Sequence, residues 1–219
     1  MNIYLVVEGL VGEKQVYAHW VPLVNPSLRV VNFIDEIVND HLIIYAGMGY
    51  PSYLEMIRNG IDDVKRNAHI DRLVIAVDSE DMSCEDKYQE IDAYVKLCGA
   101  PLNYRIIVQH FCLETWALGN QALVTRRPSD PALQEYRKEF DVLGRDPQLL
   151  PSYPKENLNR SQFAARYLKK LLNEKHRNIT YSKSNPRALL HDKFYYSVKT
   201  RFEKTGHIDS FDNFLTAFI

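Results

Sequence analysis

Five short runs of β-branched and aromatic residues constrain this chain more than anything else: 3–7, 28–33, 41–46, 72–77 and 104–109. Each is too short for a helix, and amphipathic stretches of helical period stand between most of them. The first, Ile3-Tyr4-Leu5-Val6-Val7, is apolar throughout, as is Leu73-Val74-Ile75-Ala76-Val77. A strand without polar alternation is buried on both faces, and strands alternating with helices build a mostly parallel sheet with right-handed crossovers. The fold class expected is therefore α/β, with helices on the sheet.

The intervening periodicity agrees. Residues 11–20 put Val16, Tyr17 and Trp20 on one helical face. Residues 51–66 do the same with Leu54, Ile57, Ile61 and Val64, and residues 84–98 with Tyr88, Ile91, Val95 and Cys98. A further helix is expected over 112–124. The composition changes near residue 125, where Arg126-Arg127-Pro128-Ser129-Asp130-Pro131 opens a polar, proline-rich stretch. Helices are expected over 131–139, 158–175, 185–204 and 208–217. The organisation read from the sequence is an α/β core over 1–124 and a loop and helical extension over 125–219.

Bulk composition narrows the function classes. The 219 residues are 46% apolar and 25% charged, an ordinary globular profile. The net charge of −1 provides no global basic field, so nucleic-acid binding would need a local patch, a metal or a partner chain. Cys84, Cys98 and Cys112 form no Cys-x-x-Cys pair, which favours reduced thiols and a cytoplasmic setting over a disulfide framework. No apolar run is long enough to cross a membrane. No P-loop and no Gly-x-Ser-x-Gly elbow occurs. Gly47-Met48-Gly49 alone is too little for a dinucleotide site.

Chemistry concentrates where the buried runs end. Val7 is followed by Glu8-Gly9, and Val77 by Asp78-Ser79-Glu80-Asp81. Ligands of open α/β sheets bind outside the carboxyl ends of the strands. Converging carboxylates repel one another unless a cation neutralises them, which points to Mg²⁺ or Mn²⁺. If the strand continued, Asp78 and Glu80 would face the same side. Glu13 falls in the first helical turn, where an acid is also favoured by the helix dipole. Glu114 stands among large apolar residues in Leu113-Glu114-Thr115-Trp116-Ala117-Leu118, so it is expected to meet a cation or cap backbone groups. His110 with Cys112 lacks the further ligands that zinc needs. Tyr181-Ser182-Lys183, Arg187, His191 and Lys193, with Arg126 and Arg127, could supply the local basic patch.

Val6-Val7-Glu8-Gly9, Gly47-Met48-Gly49 and Val77-Asp78-Ser79-Glu80-Asp81 together resemble the Toprim fold of topoisomerases, DnaG-type primases and OLD-family nucleases. Cys112-Leu113-Glu114-Thr115-Trp116-Ala117-Leu118-Gly119-Asn120, followed by Tyr181-Ser182-Lys183, is similar to the small stand-alone Toprim-like proteins of bacterial defence loci. The resemblance implies Glu8 as the first metal ligand and Asp78 with Glu80 as the paired acids. It also implies Glu114 as a further acidic group and Lys183 as a late catalytic lysine. It implies a Mg²⁺- or Mn²⁺-dependent nuclease acting on DNA or RNA in antiphage defence, with an ATPase as a partner chain. Self-association is consistent with the low net charge and 14 tyrosines. The sequence departs from the pattern at two points. Asp-x-Asp reads Asp-x-Glu, which makes Asp81 an alternative to Glu80. Glu13 lies five residues after Glu8 instead of four, a helical rotation of about 500° against about 400°, so one metal or two remains open. These departures motivate a second reading, a catalytically inactive binding or sensor subunit of an ATPase complex. A third is a phosphoryl or nucleotidyl transferase acting on a small substrate.

Overall fold

A computed structural model describes residues 1–49, 51–101, 103–176 and 181–219. The chain forms two compact units. One comprises Met1–Val77, Ser83–Val108 and Asp212–Ile219, and the other Asp78–Met82 and Gln109–Phe211.

The first unit is built on a five-stranded, all-parallel sheet, as the alternation of runs and helices predicts. Its strands are β1 (Ile3–Val7), β2 (Arg29–Val31), β3 (His41–Ala46), β4 (Arg72–Asp78) and β5 (Tyr104–Gln109), in the order β2-β3-β1-β4-β5. β1 pairs with β3 from Ile3↔Leu42 to Val7↔Ala46, and with β4 from Ile3↔Arg72 to Val7↔Ala76. All five β1 residues are buried, which explains their unbroken apolarity.

Four helices belong largely to this unit: α1 (Gly12–Val24), α2 (Ser52–Arg66), α3 (Cys84–Leu97) and the C-terminal α8 (Phe211–Ala217). Tyr4 and Val6 of β1 join Leu73, Ile75 and Val77 of β4 in a core completed by Tyr53, Ile57 and Ile61 of α2 and Ile91 and Val95 of α3. Ile3, Leu5 and Val7 alternate to the opposite face. In α1, Val16, Tyr17, Trp20 and Val21 are buried, and the Tyr17 and Trp20 rings meet Phe214 of α8 edge-on.

Two expectations for this unit need correction. The strand expected over 28–33 is only three residues long and mostly exposed, as suits a short edge strand. The α3 stripe begins at Lys87, which is buried, whereas Tyr88 is 39% exposed. The lysine is accommodated because its Nζ donates to the Tyr53 hydroxyl at 3.0 Å and to Glu90 Oε2 at 3.1 Å.

The second unit is helical: α4 (Leu113–Ala117), α5 (Pro131–Glu139), α6 (Arg160–Lys175) and α7 (Asp192–Thr205). The helix expected over 112–124 stops after α4. Asn120 accepts from the Ala122 amide at 3.1 Å and restarts the chain as a 3-10 turn over Gln121–Leu123. The helix expected over 185–204 begins only at Asp192, because Pro186 precedes a separate 3-10 turn at Arg187–Leu189. Similarly, the last helix starts at Phe211 instead of 208, after Ile208 at φ +53°. Arg201 of α7 is 2% exposed and donates to the Val142 and Arg145 carbonyls at 2.7 Å each, tying α7 to the loop after α5.

Asp130 caps α5, accepting from the Ala132 and Leu133 amides, and its carboxylate also meets Lys170 of α6 at 2.7 Å. The Lys170 bond, aided by the two amides, holds this carboxyl below its ordinary range. Its contribution to stability is complete above the unfolded carboxyl pKa of about 3.9 and disappears as pH falls through the lower folded value. We expect Asp130→Ala to cost about 1 kcal/mol in urea unfolding at pH 7 and much less near pH 2. An equal cost at both pH values would count against the charged cap.

Candidate functional site

Neighbouring strands β1 and β4 define the sheet edge where chemistry was expected. From β1 the chain crosses to the β2–β3 side, whereas from β4 it crosses to β5. The direction of winding therefore reverses between β1 and β4, and such a switch point is where open α/β sheets bind ligands. The Glu8 amide continues the ladder by donating to the Ala76 carbonyl at 3.1 Å. Glu8 thus leaves β1 beside the end of β4.

Around Glu8, the turn is closely specified. Glu13 Oε2 accepts from the Gly9 amide at 2.5 Å, so the first-turn acid of α1 folds back onto the strand end. A Cβ at Gly9 would sit 2.8 Å from that oxygen. The Gly47 amide donates to the Val7 carbonyl at 2.8 Å, and the Gly49 amide to the Glu8 carbonyl at 3.0 Å. A Cβ at Gly47 would lie 2.5 Å from Tyr53 Cβ and 2.8 Å from its Cα, so this glycine is set by close packing against α2. Burial raises the Tyr53 phenol, and Lys87 opposes that shift while the Glu8 and Glu90 charges add to it.

The second unit gathers the other candidates. Asp78 ends β4, and α4 supplies Glu114, with every α4 residue buried. Glu114 is 2% exposed, and the Tyr181 hydroxyl donates to its Oε1 at 2.8 Å. The expected choice between a cation and backbone amides is met, at that oxygen, by a phenol that the sequence did not single out for this role. Burial pushes the Tyr181 phenol far up, reinforced by the Glu114 charge and bond, then Cys112 and Asp78. Burial likewise pushes the Cys112 thiol up, helped by the charges of Glu114 and Asp78 and opposed by Lys183. Asp78, Cys112, Glu114, Tyr181 and Lys183 therefore share one electrostatic neighbourhood, brought from three separate stretches of chain. Lys183 sits exposed in a tight turn in which the Asn185 amide donates to the Ser182 carbonyl at 2.9 Å.

Glu80 and Asp81 behave differently. The strand ends at Asp78, and Glu80 adopts a left-handed φ of +51° in a turn closed by Met82 N to Ser79 O at 2.9 Å. Strand alternation therefore stops before Glu80, which is a correction to the geometry expected of Asp78 and Glu80. Both Glu80 and Asp81 are exposed. Ser79 is buried, and its Oγ lies 2.9 Å from His110 Nδ1. Burial and the Arg160 cation lower the His110 pKa against the pull of Asp209 and Asp146.

Among the described residues, no three His, Cys, Asp or Glu side chains form a ready-made metal cage. The carboxylates of this neighbourhood are Asp78 and Glu114. Burial first, and the Asp78 and Glu114 charges second, disfavour ionisation of Cys112 and Tyr181. Mg²⁺ commonly takes only one or two protein carboxylates and completes its shell with water and phosphate. No helix of the described residues is long and apolar enough to cross a membrane. No protein-family model, no curated protein and no solved structure matches the chain.

Tyr181→Phe would leave a buried carboxylate oxygen without its hydroxyl. We expect a loss of about 1–3 kcal/mol in urea unfolding, with Glu114→Gln partly restoring stability in that background. Additive effects of the two substitutions would show that the hydrogen bond is not the coupling.

Proposed function

We propose that this chain is a Toprim-like nuclease that hydrolyses phosphodiester bonds of DNA or RNA with Mg²⁺ or Mn²⁺, serving antiphage defence. The observation that carries this reading is that Asp78 and Glu114 both act on buried Cys112 and Tyr181, with Lys183 acting on Cys112 and the Tyr181 hydroxyl bonded to Glu114 at 2.8 Å. Carboxylates and a cation in one neighbourhood are what transfer at a phosphate needs: ligands for an ion and a charge to meet developing negative oxygen.

Asp78 and Glu114 would hold the ion, with Glu80 or Asp81 as outer acids, while Glu8 stays a candidate on the strand-end pattern of the sequence alone. When bound, the ion would polarise the phosphate and lower the pKa of an attacking water. Tyr181 orients Glu114 through its hydroxyl. Cys112, held as the neutral thiol, adds no competing charge. Lys183, exposed at a turn, can approach a phosphate as a point charge.

One observation favours the second reading, a non-catalytic binding or sensor subunit of an ATPase complex. Glu80 departs from the strand line, so the Asp-x-Glu pair does not present two acids in strand alternation. The two readings separate in one assay. Purified protein is incubated with plasmid and with tRNA in Mn²⁺, then in excess EDTA. The nuclease reading expects cleavage that EDTA abolishes and that Asp78→Ala, Glu8→Ala and Lys183→Ala each reduce by about 100-fold or more. Equal cleavage by all variants, or none by the native chain, would overturn it. Inactivity combined with stable co-purification of an ATPase would favour the second reading.

A further inference from the structure

The net charge of −1 conceals a strong internal asymmetry. Residues 109–211 carry 18 Lys and Arg against 11 Asp and Glu, a net +7, and the rest of the chain carries −8. With Asp78, Glu80 and Asp81 included, the second unit is still net +4, and cations surface along α7. Lys193, Tyr196, Thr200 and Lys204 recur at helical spacing and are all exposed, with Tyr196 at 49%. Together with Gln121 and Ala122 of the neighbouring 3-10 turn, this stripe lines a groove of about 510 Å³. The groove runs into a second hollow of about 660 Å³ that shares Lys193 and adds Lys175, His176 and His191, with Asp192 as the one acid in its lining.

The cations of this stripe are available. Neither Lys193 nor Lys204 nor Lys175 has an ion-pair partner among the described residues. Lys199 and Glu203 satisfy one another and lie off the stripe. A second basic hollow, at Arg126, Arg127, Arg137 and Lys138, is weaker. There Arg137 is committed to the Thr125 and Arg126 carbonyls and Asp141, and Lys138 to Glu135.

We infer that the α7 groove is a nucleic-acid binding surface that tracks the phosphate backbone. From Lys193 to Lys204 the helix rises about 16 Å, the axial length of about five base pairs. Lysines separated by that distance can neutralise phosphates along a strand, and an exposed Tyr196 between them can stack on an unpaired base. A membrane surface fits less well, because the stripe carries tyrosine, serine and threonine and lacks the large aliphatic anchors of an interfacial helix. The inference deepens the nuclease reading and rests on it for the identity of the polyanion, while its own support is charge and shape. Arg201, which also borders the groove, is excluded as a contact, since its guanidinium is spent on Val142, Arg145 and His207.

The test measures binding in EDTA, where cleavage cannot interfere. Fluorescence anisotropy of the full chain with a labelled duplex and a labelled oligo(dT), each of roughly 20 nucleotides per strand, is followed from about 50 to about 200 mM NaCl. Lys193→Ala/Lys204→Ala should weaken binding at least about tenfold and flatten the log–log salt slope by about 2, as loss of two phosphate contacts requires. Lys199→Ala should leave both unchanged, and circular dichroism should report an unaltered fold for each variant. If the native chain binds and the double variant retains its affinity and slope, the surface is wrong. Absence of binding by the native chain, or binding only to phosphatidylserine vesicles, would also overturn it. Salt-sensitive binding lost in the double variant, in a protein that never cleaves, would retain this surface and sink only the nuclease reading.

Discussion

β1 is bonded on both edges and buried on both faces, and the rest of the first unit takes its positions from that strand. Its register with β3 and β4 leaves no freedom to slide, because a shift by one residue would turn Tyr4 and Val6 out of their core and Ile3, Leu5 and Val7 into it. The same register dictates where Glu8 leaves the sheet. It also calls for glycine at 47, whose amide closes onto Val7 while its missing side chain makes room for Tyr53. A strand selected for burial thus fixes the edge at which polar chemistry can occur.

The second unit relies on a different constraint, the expense of burying charge. α4 is a five-residue helix with no exposed face, yet it contains Glu114. That carboxylate is tolerable because Tyr181 answers it directly, and because Cys112 beside it stays protonated. Arg201 is treated in the same way, with backbone carbonyls taking up its donors. Glu114 and Arg201 are thus each paired locally inside this unit. Many of the surface acids are taken up in ion pairs or helix caps, and that leaves the unpaired lysines of α7 to define its outward charge.

Much of the fold was legible. All five strands lie within the expected runs, and the signal is plainest for β1 and β4, where burial on both faces removes polar alternation. α5 begins at Pro131 after the Asp130 cap, as the residues themselves announce. Helix limits were less legible near residues 118–121 and 186–192. There short capping motifs and a proline interrupt an otherwise helical period. Lys87 was hidden for another reason. A buried lysine looks like a surface lysine until the Tyr53 hydroxyl that receives it is known. Glu80 departs from strand alternation because β4 ends at Asp78 and the backbone turns left-handed at Glu80, which no local pattern announces.

The sequence by itself determined the α/β class, the parallel strands and the acids that end β1 and β4, since these follow from local pattern and the burial it encodes. Only the tertiary structure decided which groups act on one another: Tyr181 on Glu114, Ser79 on His110, Glu13 on Gly9. It alone also assembled the lysines of α7 and the turn at Gln121–Leu123 into one groove. The physical reason is range. Propensity and periodicity act over a few neighbouring residues, whereas hydrogen bonds and charge act across space between residues as distant in sequence as Glu114 and Tyr181.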